Sequence, residues 1–350
     1  MLAVKTRDRP IEFPSIQTFF PKETTVNHSS TRTFSIGAFP MFHLWAPILL
    51  AMLSALAPPM PAHATEIEPD PLTDRRSLAW AFAGSHFHQF DTDVDAGGSF
   101  EVNRSAIHLS HTWYLNYGLD LTAQCGYSID DYIFSGSTGL VGLDPWNDIR
   151  TLRFGGSARW RPNDHLTVVG GSTFRFSSEG NASLSDGFQA GGFTGFAYEV
   201  NDTLTIGPGL GAITQIEDVV SMFPILIIDW KITDNLIVST GRGGGATQGP
   251  GLTMTWHFAG PWAASIGGRY QRYRFRLDNN GIAPNGIGQE KGLPLYATLS
   301  YDVGEKTKVS VVAGVHFAGE LKVENSRGNT VAKQEYDPAP FVGILGEIGF

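Results

Sequence analysis

Four arginines crowd one stretch of this chain: Arg269, Arg272, Arg274 and Arg276, just ahead of a polar run from Asp278 to Gly292. Guanidinium groups are permanent, planar, fork-shaped cations. So dense a set either lines a passage that favours anionic solutes or forms surface charge, paired with nearby acids or with phosphate. The paired reading is the simpler one. His86-x-His88 places two imidazoles on one face of a strand, a start for a metal site. Hairpin register about Val94 would set them opposite Asn103 and Glu101 rather than His108 or His111. No third ligand follows, and no metal is expected. Asp91-Thr-Asp93-Val-Asp95 opens like a calcium loop, but Ala96 stands where that loop needs Gly, and Val102 where it needs a bidentate Glu. It reads as a polar surface loop. Gly241-Arg-Gly-Gly-Gly245 lacks the Lys-Ser/Thr of a phosphate loop. His257 and His316 are expected in an interior, yet nothing ties either to a nucleophile. No catalytic residue and no cofactor is expected.

The elements that must position these residues are strands. In the last stretch, Phe350, Ile348, Ile344, Val342 and Pro340 share one phase, and Gly349, Glu347, Leu345, Gly343 and Phe341 the other. Period-two alternation marks a strand with one apolar side. The same alternation runs through Leu119–Ile129, Leu252–Phe258, Leu295–Val303 and Val309–Val323. From Ser77 onward about fourteen such runs appear. Short connections rich in Asn, Asp, Gly and Pro (Pro162-Asn163-Asp164, Asn201-Asp202, Thr233-Asp234-Asn235, Gly260-Pro261) alternate with longer ones. The longer ones are expected at Asp91–Gly98, Ser135–Asp148, Ser178–Asp186, Glu217–Ser221, Ala246–Gly249, Asp278–Gly292 and Asn325–Tyr336. Trp113, Trp160, Tyr198, Trp230, Trp262 and Tyr301 lie near short turns. Tyr132, Phe134, Phe174, Phe176, Phe188, Phe223, Tyr273 and Phe275 lie near long loops. Two aromatic bands at two depths are the girdles of a transmembrane barrel. A bulge is expected between Arg269 and Tyr273, and the run Phe223–Lys231 is apolar on both faces without explanation.

The 350 residues include 41 Gly and 23 Phe, a composition suited to sheets with tight turns. No run in the body of the chain supplies the ~18 apolar residues of a spanning helix. One long apolar run, between Leu44 and Ala57, precedes Ala62-His63-Ala64, which fits signal-peptide cleavage before Thr65. Either Met41 starts the protein and residues 1–40 are a non-native or disordered leader, or Lys22 and Arg32 act as a distant positive region. Residues 41–64 are the signal peptide, 65–76 an acidic periplasmic lead-in and 77–350 the barrel. Losing residues 1–64 removes five basic and three acidic side chains, leaving 20 basic and 31 acidic, a net of -11. Such a chain lacks the basic footprint that phosphate backbones require, so nucleic acid is not an expected partner. Cys125 stands alone, so no intrachain disulfide forms.

The fold class is therefore all-β, an antiparallel transmembrane β-barrel of about fourteen strands, with twelve as the alternative. With its terminal Phe350, alternating strands and Asn/Asp turns, the chain resembles bacterial outer-membrane β-barrel proteins over residues 77–350. More narrowly, Ile206-Gly-Pro-Gly-Leu-Gly-Ala212, Pro224-Ile-Leu-Ile-Ile-Asp-Trp230 and Tyr273-Arg-Phe-Arg-Leu277 resemble an uncharacterised family of such barrels. The resemblance implies outer-membrane lipid, lipopolysaccharide and the barrel assembly machinery as partners. It also implies that Phe350, Ile348 and Ile344 form the assembly signal. It brings no substrate. Fourteen strands lie between barrels filled by side chains and those holding a water channel. Small inward residues (Gly126, Ser128, Ser157, Gly171) alternate with the charged candidates Arg153, Arg175, Glu199, Arg269, Lys308 and Glu320, expected to line the interior. The expectation is a narrow passive pore for small polar solutes, without a plug domain. The alternative is a non-conducting structural or surface-interaction barrel, and an outer-membrane hydrolase ranks third.

Overall fold

The computed structural model describes residues 80–115, 118–240 and 251–350. The expected leader, signal peptide and lead-in, and the Gly241–Gly245 run, lie outside the described residues. Sixteen strand segments follow one another: β1 Trp80–Asp93, β2 Ser99–Tyr114, β3 Leu119–Ser135, β4 Asp148–Trp160, β5 Leu166–Glu179, β6 Phe188–Asn201, β7 Leu204–Gln215 and β8 Asp218–Thr233 form the first half. The second half is β9 Leu236–Thr240, β10 Gly251–Ala259, β11 Trp262–Arg269, β12 Gln271–Arg276, β13 Ile287–Asp302, β14 Thr307–Glu324, β15 Thr330–Tyr336 and β16 Ala339–Gly349. Each wall strand pairs antiparallel with its neighbours, and β16 pairs back onto β1 through Ala81↔Gly349 to Gln89↔Phe341. Trp80 N donates to Phe350 O at 3.0 Å and Phe350 N to Trp80 O at 2.9 Å, completing the seam. β12 continues β11 along β13 in one register, and β15 continues β16 along β14. The sixteen segments therefore fill fourteen positions of a closed ring.

Among the described residues, closure leaves no free edge in the wall, the condition for crossing lipid with strands. The outer face shows what it meets. Ile344 (59% exposed), Val311 (56%), Leu226 (55%), Ile266 (54%) and Ile107 (53%) point outward with no protein cover. Trp80, Trp113, Trp160, Tyr198, Trp230, Trp256, Trp262 and Tyr301 are exposed in a band at the short-turn end, with Phe90, Phe174, Phe188 and Tyr270 toward the other end. An apolar belt between aromatic girdles is unstable in water and stable in a bilayer. The protein is an outer-membrane barrel, with its short turns gathered at one end of the wall.

Several expectations change at the long-loop end. Glu217–Ser221 is not a long loop: Glu217 takes a left-handed φ of +52°, the turn is tight, and β8 starts at Asp218. Much of Asp278–Gly292 and Asn325–Tyr336 is strand as well, in the upper part of β13 and in β15. Their charged, alternating sequences read as loop because they pair with one another above the membrane instead of facing lipid. No bulge separates Arg269 from Tyr273, since Gly268↔Leu295 and Gln271↔Gly292 keep one register. Tyr273 and Phe275 thus continue the inward phase of Arg269 and, like Tyr132, are buried rather than part of a girdle. The bulge lies instead in β14, where Lys291↔Glu320 and Leu293↔Phe317 span unequal lengths and Ala318 has φ +49°. The inserted residue reverses the phase above it. Leu321 and Val323 turn from the lipid phase to the core, and Glu320 leaves the lumen phase.

The two-faced apolar run in β8 is explained by its partner. Phe223, Ile225 and Ile227 stand opposite Gly211, Gly209 and Gly207. A Cβ on Gly211 would meet the Phe223 ring at 2.4 Å. The inner apolar side chains of β8 lie over the bare backbone of β7 instead of projecting into water.

Candidate functional site

Above the outer girdle, β12 and the upper parts of β13 and β14 join β15 in a four-stranded sheet that folds across the barrel mouth. One face of this cap is apolar. Tyr273, Phe275, Leu321, Val323 and Tyr336 pack with Phe100, Val102, Tyr132 and Ile149 of β2 to β4, and with Leu140, Val141 and Trp146 of the inturned β3–β4 connection. Trp146 meets Phe275 edge-on at 5.2 Å, and Phe100 meets Tyr336 edge-on at 5.0 Å. Aromatic pairs in this arrangement add ~0.5–1.5 kcal/mol beyond burial.

One carboxylate fastens the cap to the wall. Glu290 of β13, 1% exposed, accepts hydrogen bonds from Arg104 Nη2 at 2.8 and 3.0 Å, from the Tyr132 hydroxyl at 2.5 Å and from the Tyr336 hydroxyl at 3.1 Å. Burial, reinforced by the Glu290 charge, pushes the Tyr336 hydroxyl well above the ordinary tyrosine range, so it stays protonated and donates. Arg104 also lies 3.6 Å from Asp130. Thr151 and the Tyr273 hydroxyl, 2.6 Å apart, tie β12 to β4. β12 reaches further, to a parallel bridge between Arg276 and Ser178 of β5.

The opposite face of the cap carries the arginine cluster. Arg274 donates to Glu324 at 2.6 Å, to Gln289 Oε1 at 3.0 Å and to the Ile216 carbonyl at 3.0 Å. Arg276 pairs with Glu217 at 2.8 Å and donates to the Asp186 and Asn285 carbonyls. Arg272 donates to Gln289 Oε1 at 2.9 Å. The cluster is structural, stitching β12 to β13, β14 and the connections beyond β5 and β7.

The expected interior residues separate into two groups. Glu320 is held between Lys291 (2.7 Å) and Lys333 (2.8 Å) in the cap, not in the lumen. Arg175 is buried in the wall, hydrogen-bonded to Gln189 Oε1 at 2.9 Å and stacked 5.6 Å from the Tyr273 ring centroid. Arg269 lies on the inner phase of β11 opposite Gly251, and half-buried Glu199 opposite Thr205 near a short turn. Arg153 and Lys308 line a cavity of about 640 Å³, with Glu347, Ser128, Thr298 and Ser300 among its other walls. A second space of about 30 Å³, the size of one water, lies between this cavity and the cap. Arg153 borders both spaces. Glu290, Arg104 and Tyr336 had no signal in the sequence: Arg104 and Glu290 are 186 positions apart, and nothing local marks either.

The remaining motifs stay dispersed. The β1–β2 turn centres on Ala96 (Asp93↔Ser99) instead of Val94, which sets His86 opposite Ser105 and His88 opposite Asn103, in place of the expected Asn103 and Glu101. Each imidazole bonds its partner at 2.9 Å. Among the described residues, no three His, Cys, Asp or Glu are grouped to hold a metal. Asp95 closes a tight hairpin, its N–H donating to the Glu335 carbonyl. His316 packs against the Phe341 ring at 5.1 Å.

No family model matches the chain, and no curated protein does. Among solved structures it is similar to an outer-membrane channel from Pseudomonas putida F1, at 11% identity and a TM-score of 0.47, covering 84% of this chain and 100% of that one. It is also similar to the toluene transporter TodX of Pseudomonas putida (12%, TM-score 0.39, 78% and 90% covered) and to the KdgM porin (11%, TM-score 0.34, 77% and 99% covered). At such identities no substrate transfers from them.

Proposed function

We propose that this barrel is a narrow passive channel for small polar solutes, closed at its outer mouth by the folded cap. The observation that carries the reading is the cavity of about 640 Å³ inside a closed, lipid-facing barrel, where hydroxyls and charges such as Ser128, Thr298, Ser300, Arg153 and Glu347 stand among small apolar side chains. A merely structural barrel gains nothing from an unfilled interior that carries hydroxyls and charges, since filling it with packed side chains is more stable. The cap narrows the path and holds the expected hydrated lumen to the periplasmic part. It is built from the wall strands themselves, not from a separate plug domain. The buried layer at the mouth also favours the second reading, a barrel that does not conduct at rest. Single-channel recording on the refolded protein in planar bilayers tests both. The channel reading requires small, discrete conductance steps, and their absence, with and without the cap disturbed, overturns it.

A further inference from the structure

We propose that Arg153 is the recognition group of a binding site for a small carboxylate or similar oxyanion inside the lumen. The inference deepens the channel reading and rests on its wet interior. The described cations of the cap and upper wall are engaged by the protein: Arg104 by Glu290, Arg274 by Glu324, Arg276 by Glu217, and Lys291 and Lys333 by Glu320. Arg153 makes no hydrogen bond or ion pair among the described residues, and its Nε is buried without an acceptor. The Nε atoms of Arg161 and Arg274 also lack an acceptor, but their guanidiniums are ion-paired with Asp120 and Glu324, whereas that of Arg153 is not.

The wall around Arg153 raises the cost of leaving it unpaired. It stands directly opposite Arg175 in the β4–β5 ladder, and like charges so placed repel. The Asp130 carboxylate borders the small space beside it and attracts both Arg104, 3.6 Å away, and Arg153, to which it makes no hydrogen bond. Lys308 and Glu347 stand in register in the same cavity, and Lys308 pairs with Asp302 at 3.6 Å, so the Arg153 guanidinium is left without an ion-pair partner where it borders both spaces, with Asp130 as its nearest attracting carboxylate. A guanidinium fork binds a carboxylate through two parallel hydrogen bonds. The Ser128 hydroxyl in the same cavity can add a third. The volume lies within the ~300–1,000 Å³ of small-molecule sites.

The test is calorimetric titration of the refolded barrel in detergent with succinate, and with 1,4-butanediol as the neutral probe of matching length. Succinate should bind at one site and the diol should not, with affinity falling as salt rises. R153Q should weaken succinate at least tenfold, R153K by a smaller factor through loss of the fork, and R150Q, on the outer face, not at all. Heat-modifiable migration on gels confirms that each variant is folded. If R153Q does not fold, R153K decides, because affinity equal to the wild type overturns the site. Absence of succinate binding by the wild type also overturns it, as does equal binding by R153Q. A barrel that binds succinate but never conducts keeps the site and removes the channel; one that conducts without binding removes the site and keeps the channel.

Discussion

Removing the Glu290 carboxylate should open the outer mouth. In E290A, Arg104 keeps Asp130 at 3.6 Å as its one carboxylate and the Tyr132 hydroxyl at 3.4 Å, and the buried hydroxyls of Tyr132 and Tyr336 lose Glu290 as their acceptor. Breaking a buried ion pair by deleting one partner costs about 3–5 kcal/mol, because the remaining charge is left uncompensated. That penalty falls on the docked cap. An undocked cap lets water reach Arg104, while the wall ladders below are unaffected. At ~1.4 kcal/mol per tenfold, the docked state loses on the order of 10²–10³ in population. Planar-bilayer recording should then show larger or more frequent openings in E290A than in wild type. The double variant R104M/E290L replaces the pair with apolar groups of similar length and should restore the closed behaviour. Folded E290A with wild-type conductance would refute the cap as a gate. Loss of heat-modifiable migration in E290A would show that the network holds the barrel itself and not a separable cap.

Three further outcomes follow from the wall. I344K places an ammonium on the lipid-facing position with 59% exposure; near the bilayer midplane it should cost ~2–4 kcal/mol in urea unfolding from vesicles, and no change would argue against lipid there. G211V drives a branched side chain into the Phe223 ring, 2.4 Å from the ideal Cβ; overpacking should cost ~1–3 kcal/mol, whereas a neutral result would dismiss the account of β8. Deleting Phe350 removes both seam bonds to Trp80; the yield of heat-modifiable barrel in isolated outer membranes should fall severalfold, and an undiminished yield would deny the terminal strand its role in closure.

The barrel was legible because its wall obeys one rule repeatedly: one face meets lipid, the other water, and the side chains alternate. The parity read in the last strand places Glu347 inward and Ile344 outward, as the Ala83↔Glu347 and His86↔Ile344 pairs of the seam have it. The cap escaped for a physical reason. Its strands lie above the lipid, so their outer face is charged and paired (Arg274 with Glu324, Lys291 with Glu320), and period-two charge without an apolar outer row resembles loop. The Ala318 bulge escaped too, since alanine carries no signature of a left-handed φ. Without it, Leu321 and Val323 were assigned to lipid and Glu320 to the lumen.

The division of charge between cap and lumen argues that the two are built for different ends. A buried ion pair is weak evidence for stability, since an apolar pair of similar volume often does as well or better. Apolar residues would fasten the cap to β2 at least as firmly as Arg104 and Glu290 do. What apolar residues could not do is leave a surface that tolerates water when the cap lifts. Arg104, Asp130, Glu290 and Tyr132 become ordinary hydrated groups on undocking, so the ionic fastening costs less to release than a sealed hydrophobic one. Arg153 and Arg175, facing each other lower in the wall, obey the opposite logic: their repulsion is offset in part by Asp130, Gln189 and Tyr273, and further when an anion arrives. A solute that neutralises Arg153 therefore also weakens the cationic field beside Asp130 and Arg104. Succinate should for that reason raise opening frequency less in E290A, where the fastening is already gone, than in wild type. Equal responses in the two proteins would uncouple the site from the cap.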